Sequence, residues 1–190
     1  MELLKNRIVH ESAIVSQDIL RLDSILNQQV EPALMMEIGK CFVERFKDAP
    51  ITKIVTIESS GIPVAFAVAA QLNVPLIFAR KKQTVVNDPD SYIERVPSFT
   101  KGIVTDIVIS KQFLSKEDHV LIVDDIIANG DALKGLIRIL EEAGSSIEGI
   151  GIVVEKAFQD GAKYLRESGF NVQSLVKIAS LEEGKIKFVD

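Results

Sequence analysis

Short runs of Val, Ile and Leu recur along this chain, and most are followed by a longer stretch with helical spacing. Ile54-Val55-Thr56-Ile57, Val74 to Ala79, Leu121-Ile122-Val123, Ile150 to Val154 and Val172 to Ile178 read as strands. Gly61 to Leu72, Gly130 to Ala143 and Ala162 to Ser168 read as helices, the last two stopped by Gly144 and Gly169. Runs that are apolar at nearly every position mark strands covered on both faces, and helical crossovers leave such strands parallel. The expected fold class is α/β, a mainly parallel doubly wound sheet. Ligands of such sheets bind beyond the carboxyl ends of the strands, so chemistry belongs in the loops after Ile57, Ala79, Val123 and Val154.

Two regions break this rhythm. Residues 81–101 are polar, contain Asp88-Pro89-Asp90 and Pro97, and precede a further strand-like run from Ile103 to Ile109. A long loop or hairpin of this kind reads as a functional flap, with Tyr92, Arg95 and Lys101 as unranked candidates to help it close. The first 50 residues hold a helical pattern after Pro32, with Leu34, Ile38, Cys41, Phe42 and Phe46 on one face. This part is expected to pack as a hood over the strand ends. The whole of residues 1–190 is read as one domain containing the hood, 1–50, and the flap, 81–101.

Charge and cysteine usage narrow the classes. A net charge of −5 argues against broad nucleic-acid binding, although a local cluster of amides and basic side chains still binds phosphate on an acidic protein. Cys41 is the single cysteine, so no internal disulfide framework exists and a reducing, cytoplasmic location is expected. No apolar run reaches membrane-spanning length, and the N-terminal residues lack the pattern of a signal peptide. His10 and His119 have no metal-ligand spacing.

The most informative segment is Val120-Leu121-Ile122-Val123-Asp124-Asp125-Ile126-Ile127-Ala128-Asn129-Gly130-Asp131-Ala132. Four apolar residues are followed by two carboxylates, then by a small-residue turn that opens a helix. Amides at a helix start lack partners within the helix and hold phosphate. Gly130, Ala128 and Ala132 leave room for close approach, and Asn129 offers a side-chain donor. Asp124 and Asp125 accept hydrogen bonds from vicinal hydroxyls, so a sugar with a phosphate at one end and a diol at the other fits the array. A plain helix cap with solvated carboxylates is the alternative for an Asp-Asp pair alone.

This segment resembles the phosphoribosyl pyrophosphate (PRPP) signature of the type I phosphoribosyltransferases. Most members carry threonines in the loop where Asn129 and Ala132 stand, and the Asn-Gly pair resembles the xanthine-using branch of that family. The resemblance implies the type I phosphoribosyltransferase fold. It also implies that Ala128, Asn129, Gly130, Asp131 and Ala132 hold the 5-phosphate, and that Asp124 and Asp125 form the catalytic acidic pair facing the ribose hydroxyls. Glu58-Ser59-Ser60-Gly61 resembles the family's pyrophosphate loop, which often holds a non-proline cis peptide. Ser59, Ser60 and Gly61 are then expected to bind pyrophosphate, helped by the cations Arg80 and Lys81. In the family a basic side chain of the latter region reaches a neighbouring subunit, which implies a homodimer.

The same resemblance places the purine against Leu20 by apolar contact, Asn27 by hydrogen bonding and Lys156 at a ring carbonyl oxygen. Xanthine carries two oxo groups and needs donors, and lysine has three donors and no acceptor. Phe158 reads either as a stacking partner or as a core residue. Magnesium is implied as a cofactor bound with PRPP, with no protein ligand assigned. The expected reaction is purine salvage from xanthine and PRPP, with no nucleic-acid or membrane partner. Asp124, Asp125 and Asp131 all remain candidates for a general base. Three alternatives stand beside this reading: a transferase for guanine, hypoxanthine or adenine, a non-catalytic PRPP-sensing regulator, and a structural protein with a decayed site.

Overall fold

A computed structural model describes residues 1–82, 88–98 and 103–189. Lys101, one of the flap candidates, lies outside the described residues. The chain begins with helix α1 (Glu2–Glu11), a small hairpin of β1 (Ala13–Ile14) and β2 (Leu20–Arg21), a π-helical turn at Asp23–Asn27, and helix α2 (Pro32–Arg45). There follow β3 (Lys53–Ile57), α3 (Ile62–Leu72), β4 (Leu76–Lys82), β5 (Ser91–Ser98), β6 (Ile103–Ser110) and β7 (His119–Ile127). The chain ends with α4 (Asp131–Ala143), β8 (Ser146–Lys156), α5 (Gly161–Glu167), β9 (Val172–Ser180) and β10 (Lys187–Phe188).

Eight strands form one sheet in the order β10-β9-β8-β7-β3-β4-β6-β5. The five strands from β9 to β4 are parallel, while β10, β6 and β5 pair antiparallel with their neighbours. From β3 the chain moves outward to β4, then returns to the other side of β3 for β7, β8 and β9. The switch in direction lies between β3 and β7, where an open α/β sheet has its crevice.

Both faces of the sheet are covered, as the apolar runs predict. In β7, Leu121 and Val123 pack with α2 and α3, while Val120 and Ile122 pack with α4. Helix α2 carries Leu34, Ile38 and Phe42 at four-residue spacing, and all three are buried. It seats on β8 where that strand has no side chains to obstruct it. A Cβ added to Gly151 would lie 2.9 Å from the Phe42 ring, and one added to Gly149 would lie 2.3 Å from the Phe46 ring.

Several strands run further than their apolar cores suggest. The acidic pair was expected just after a strand, but β7 continues through it, with Asp124 opposite Ile152 and Ile126 opposite Val154. Pairing with a neighbour sustains the ladder where side-chain polarity gives no sign of one. Likewise Arg80, Lys81 and Lys82 belong to β4 because β6 pairs with them.

Most of the described residues of 81–101 are also sheet, residues 81–82 at the end of β4 and 91–98 in β5. β5 and β6 form an antiparallel hairpin along the sheet edge, and Pro97 sits on the outermost strand, where a missing N–H is tolerated. Tyr92 packs partly buried against the α4-side core, and Arg95 pairs with buried Asp106 at 3.1 Å. The hairpin is anchored to α4, where Arg138 pairs with Glu94 at 2.9 Å.

The seating of α2 generates a stability prediction. Phe42 is fully buried, so Phe42→Ala should destabilise the fold by about 3–5 kcal/mol. Urea denaturation would read this as a lower midpoint, and a midpoint equal to that of the parent would refute the packing role.

Candidate active site

The carboxyl ends of β3, β4, β7 and β8 lie side by side, and most of the candidate residues gather there. At the end of β7 the Asp124 side chain is buried, and its Oδ1 accepts the Asp125 N–H at 3.0 Å. Burial pushes the Asp124 carboxyl well above the usual carboxylate range, and the Asp125 charge pushes in the same direction. The Lys81 ammonium acts against both. Asp125 is only half-buried, so the pair joins one sheltered and one accessible carboxyl group.

Beyond Ile127 the chain turns through Ala128, Asn129 and Gly130, which has φ 76 and ψ 12, a left-handed conformation that glycine adopts without steric cost. Helix α4 then begins at Asp131, and no side chain caps it. Its first intrahelical bond runs from the Lys134 N–H to the Gly130 carbonyl at 2.9 Å. The amides of residues 131–133 precede that bond, which leaves them outside the helical ladder and directed beyond the helix start. The turn and helix start thus have the arrangement that holds an anion.

The loop after β3 lies against the acidic pair across the switch point. The Glu58–Ser59 peptide is cis, as the family resemblance implies. Ser59 is exposed, Ser60 half-buried and Gly61 buried. A Cβ on Gly61 would lie 2.6 Å from Asp124 Oδ1 and 2.3 Å from Thr56 Oγ1, so only glycine allows the loop to lie against the acidic pair. The Thr56 hydroxyl is buried there without a hydrogen-bond partner.

Glu58, which the sequence reading left without a role, ties this loop to the end of β4. One of its carboxylate oxygens accepts the Lys81 N–H at 2.5 Å, and the other lies 2.9 Å from Arg80 Nε. The Arg80 guanidinium also sits 5.8 Å from the centre of the Phe78 ring. Arg80 and Lys81 are therefore held at Glu58, the residue that opens the Ser59–Gly61 loop, with Arg80 already partnered by a carboxylate. An acidic residue opening a loop gives no sequence signal of such a contact, because its partners are more than 20 residues away.

The three base-site candidates differ in their surroundings. Leu20 is buried in the core formed with Leu22, Ile25 and Leu26, whereas Asn27 is exposed at the end of the π-helical turn. Lys156 is half-buried at the end of β8, and its Nζ donates to the Asp18 carbonyl at 2.6 Å. Burial lowers the Lys156 ammonium from its ordinary value, and the Asp18 charge partly opposes that. The contact joins the hood to the strand end, a pairing with no trace in the spacing of the two residues. Phe158 packs partly buried against the core.

The strand end itself is held by Glu155. Arg166 grips its carboxylate with two bonds, at 2.9 and 2.5 Å, and the Ser174 hydroxyl donates a further, shorter one. Burial alone would raise the Glu155 carboxyl, but these bonds outweigh it and hold the group below its usual range. Among the described residues, no three His, Cys, Asp or Glu side chains are grouped to hold a metal. Among the same residues, no helix is long and apolar enough to cross a membrane.

A parallel sheet with an acidic pair, a glycine turn and a serine loop at one crevice defines a class. The family model of the phosphoribosyl transferase domain matches residues 24–180, and the chain belongs to that family. The chain is 50% identical over 189 residues to a xanthine phosphoribosyltransferase of Bacillus cytotoxicus, covering 100% of this chain and 96% of the relative. A xanthine phosphoribosyltransferase of Bacillus cereus is similar to the same extent, 50% over 189 residues, again with 100% and 96% coverage. Among solved structures, adenine phosphoribosyltransferase from Rhodothermus marinus superposes with a TM-score of 0.74 at 23% identity, covering 93% of this chain and 98% of that one. This last likeness is one of fold.

The raised Asp124 carboxyl has a consequence for stability. A proton is held more tightly in the folded state than in the unfolded chain, where the group titrates near 3.8. Unfolding therefore releases a proton in the window above that value, and stability falls as pH rises through it. Asp124→Asn keeps an acceptor oxygen for the Asp125 N–H and removes the charge. Its melting temperature relative to the parent should rise between pH 4 and pH 8, and a difference that stays constant over that range would rule out the burial effect.

Proposed function

We propose that this chain is an enzyme of purine salvage that transfers the 5-phosphoribosyl group of PRPP to N9 of xanthine, giving xanthosine 5′-monophosphate and pyrophosphate. The observation that carries the proposal is the meeting of the Asp124–Asp125 pair with the Gly61 loop on one side and the Gly130 turn on the other. The full-length similarity to enzymes named xanthine phosphoribosyltransferase supports the choice of base. Residues 1–190 act as one domain, with residues 1–50 as its hood and 81–101 as its flap.

In this assignment the amides around Ala128, Asn129, Gly130, Asp131 and Ala132 hold the 5-phosphate. Ser59, Ser60 and Gly61, with the cations of Arg80 and Lys81, hold the pyrophosphate. Asp124 and Asp125 lie between the two phosphate ends, where the ribose hydroxyls of a bound PRPP would stand. The bond from the anomeric carbon to the pyrophosphate oxygen breaks and pyrophosphate leaves with the electron pair, while the lone pair of purine N9 forms the new bond on the opposite face of that carbon. Neutral xanthine passes its ring N–H proton to a base, for which Asp124, Asp125 and Asp131 are the candidates, whereas the xanthine monoanion has already given a proton to solvent and needs no base. Fixing both phosphate ends supplies positioning and charge stabilisation, the main sources of rate in such a transfer.

Magnesium fits this site as a companion of PRPP. The protein offers the adjacent carboxyl groups of Asp124 and Asp125, oxygen donors of the kind that hold a partly hydrated magnesium ion together with substrate oxygens. When bound, magnesium supplies positive charge against the pyrophosphate and the ribose hydroxyls. Asp124 and Asp125 are the residues that would face it. That nearby charge would favour the Asp124 carboxylate over the neutral form that burial favours.

The base reading assigns Lys156 as donor to a purine oxo group, with Leu20 and Asn27 beside it. Lys156 has its ammonium turned toward the hood, where among the described residues it donates to one carbonyl, that of Asp18, of the three donors an ammonium carries. Adenine presents an amino group at that ring position, which a lysine does not accept. A homodimer completes the proposal, and the exposed Phe66, Phe78 and Phe113 on and beside α3 and β4 support it. A cytoplasmic location accords with the substrates.

Two measurements test this function. With PRPP and magnesium, turnover should be highest on xanthine, lower on guanine and hypoxanthine, and lowest on adenine, and a preference for adenine would overturn the base assignment. Replacing Asp124 and Asp125 together by Asn should lower kcat by at least about a hundredfold, as removal of a key electrostatic group does. Near-parental turnover in that variant would refute the role of the pair.

A further inference from the structure

We infer that Gly161 and Lys134 are positioning residues that brace the Ala128–Gly130 turn from behind, so that affinity for PRPP depends on them through the turn. The inference rests on the phosphate role proposed above for that turn.

A peptide turn that cradles an anion must present N–H groups inward and carbonyls outward. Here the two carbonyls at the start of the turn are each held by a donor. The Gly161 N–H, at the start of α5, donates to the Ala128 carbonyl at 3.1 Å. Lys134 Nζ, on the first turn of α4, donates to the Asn129 carbonyl at 3.0 Å. Carbonyl dipoles that would repel a phosphate are thereby satisfied away from it.

The glycine is required at position 161 by space. A Cβ there would lie 2.3 Å from the Ala128 carbonyl oxygen, 2.7 Å from the Asn129 carbonyl carbon and 2.7 Å from the Gly130 nitrogen. All three are backbone atoms of the turn, so no rotamer change relieves the contact. From the other side, a Cβ on Gly130 would lie 3.2 Å from Gly161 Cα. Gly161 is not among the glycines with positive φ, so an added methyl would meet the turn without straining its own backbone. Turn and helix start thus pack backbone against backbone.

Lys134 is held in place as well. Its ammonium lies 3.5 Å from Asp131 Oδ1 and 4.8 Å from the centre of the Tyr164 ring on α5. Both braces therefore depend on α5, a short helix that contributes none of the proposed substrate contacts.

The test compares KM for PRPP and for xanthine in Gly161→Ala, Lys134→Met, Lys134→Arg and Gly130→Ala, with melting temperatures recorded for each. Gly161→Ala should raise KM for PRPP about tenfold or more, as displacement of a positioning element does. Lys134→Met should raise it about fivefold, as loss of one hydrogen bond does. KM for xanthine should change less than about twofold in both, and Lys134→Arg should restore the PRPP value, since arginine keeps a charged donor. Gly130→Ala alters the turn directly and reports on the phosphate role itself. If Gly130→Ala raises KM for PRPP while Gly161→Ala and Lys134→Met do not, the braces are refuted and the phosphate site stands. If none of the three moves it, the phosphate assignment falls and the braces with it. Equal rises for both substrates would indicate general loss of structure and also refute the inference. Should Gly161→Ala fail to fold, Lys134→Met and its recovery in Lys134→Arg decide the matter.

Discussion

β3 sits at the centre of the sheet, paired in parallel with β4 on one side and β7 on the other. Because the chain leaves β3 for one neighbour and returns to the other, the connections after β3 and β7 diverge to opposite faces. A crevice opens between them, and the backbone amides that begin α4 face it with no partners in their own helix. Remove the parallel pairing and the Gly61 loop no longer lies beside Asp124. The proposed chemistry is thus a consequence of strand order before it is a consequence of side chains.

Within the crevice two opposed electrostatic demands are met in a small space. Buried Asp124 resists charging, and unpaired amides favour an anion. A substrate that brings phosphate to the amides and hydroxyls to the carboxyls answers both at once. The surrounding polar groups keep that geometry: Glu58 binds the end of β4 to the cis loop, and Arg166 and Ser174 fasten Glu155 at the end of β8. Ion pairs at these strand ends, exposed at Arg80 and sheltered at Glu155, contribute little net stability, and they join the elements on which their partners sit. That suits a site assembled from four separate strand ends.

The N-terminal hood shows how far a pattern carries. The face of α2 that includes Leu34, Ile38 and Phe42 was legible as a helix face because its spacing repeats every four residues. Its seat on Gly149 and Gly151 was not, since two glycines in an apolar run look like weak points of a strand rather than a docking surface. The base-site candidates show the same limit. Leu20, Asn27 and Lys156 came from resemblance, and the structure places Leu20 in the core and Asn27 at the surface, while Lys156 bonds to Asp18. Residues separated by more than a hundred positions leave no joint trace in a single sequence.

The sequence by itself determined the class of fold, the order of its elements, and the acidic pair with its glycine turn. These follow from local physics: apolar runs set the strands, glycine permits the left-handed bend, and a helix start always exposes amides. Only the tertiary structure decided that β4 and β7 extend through charged residues, that residues 91–98 form a strand paired with the run at 103–110, and that Gly61 and Gly161 press against the site from two sides. Those outcomes depend on which backbone lies next to which, and the identity of a spatial neighbour is information that no local stretch of chain contains.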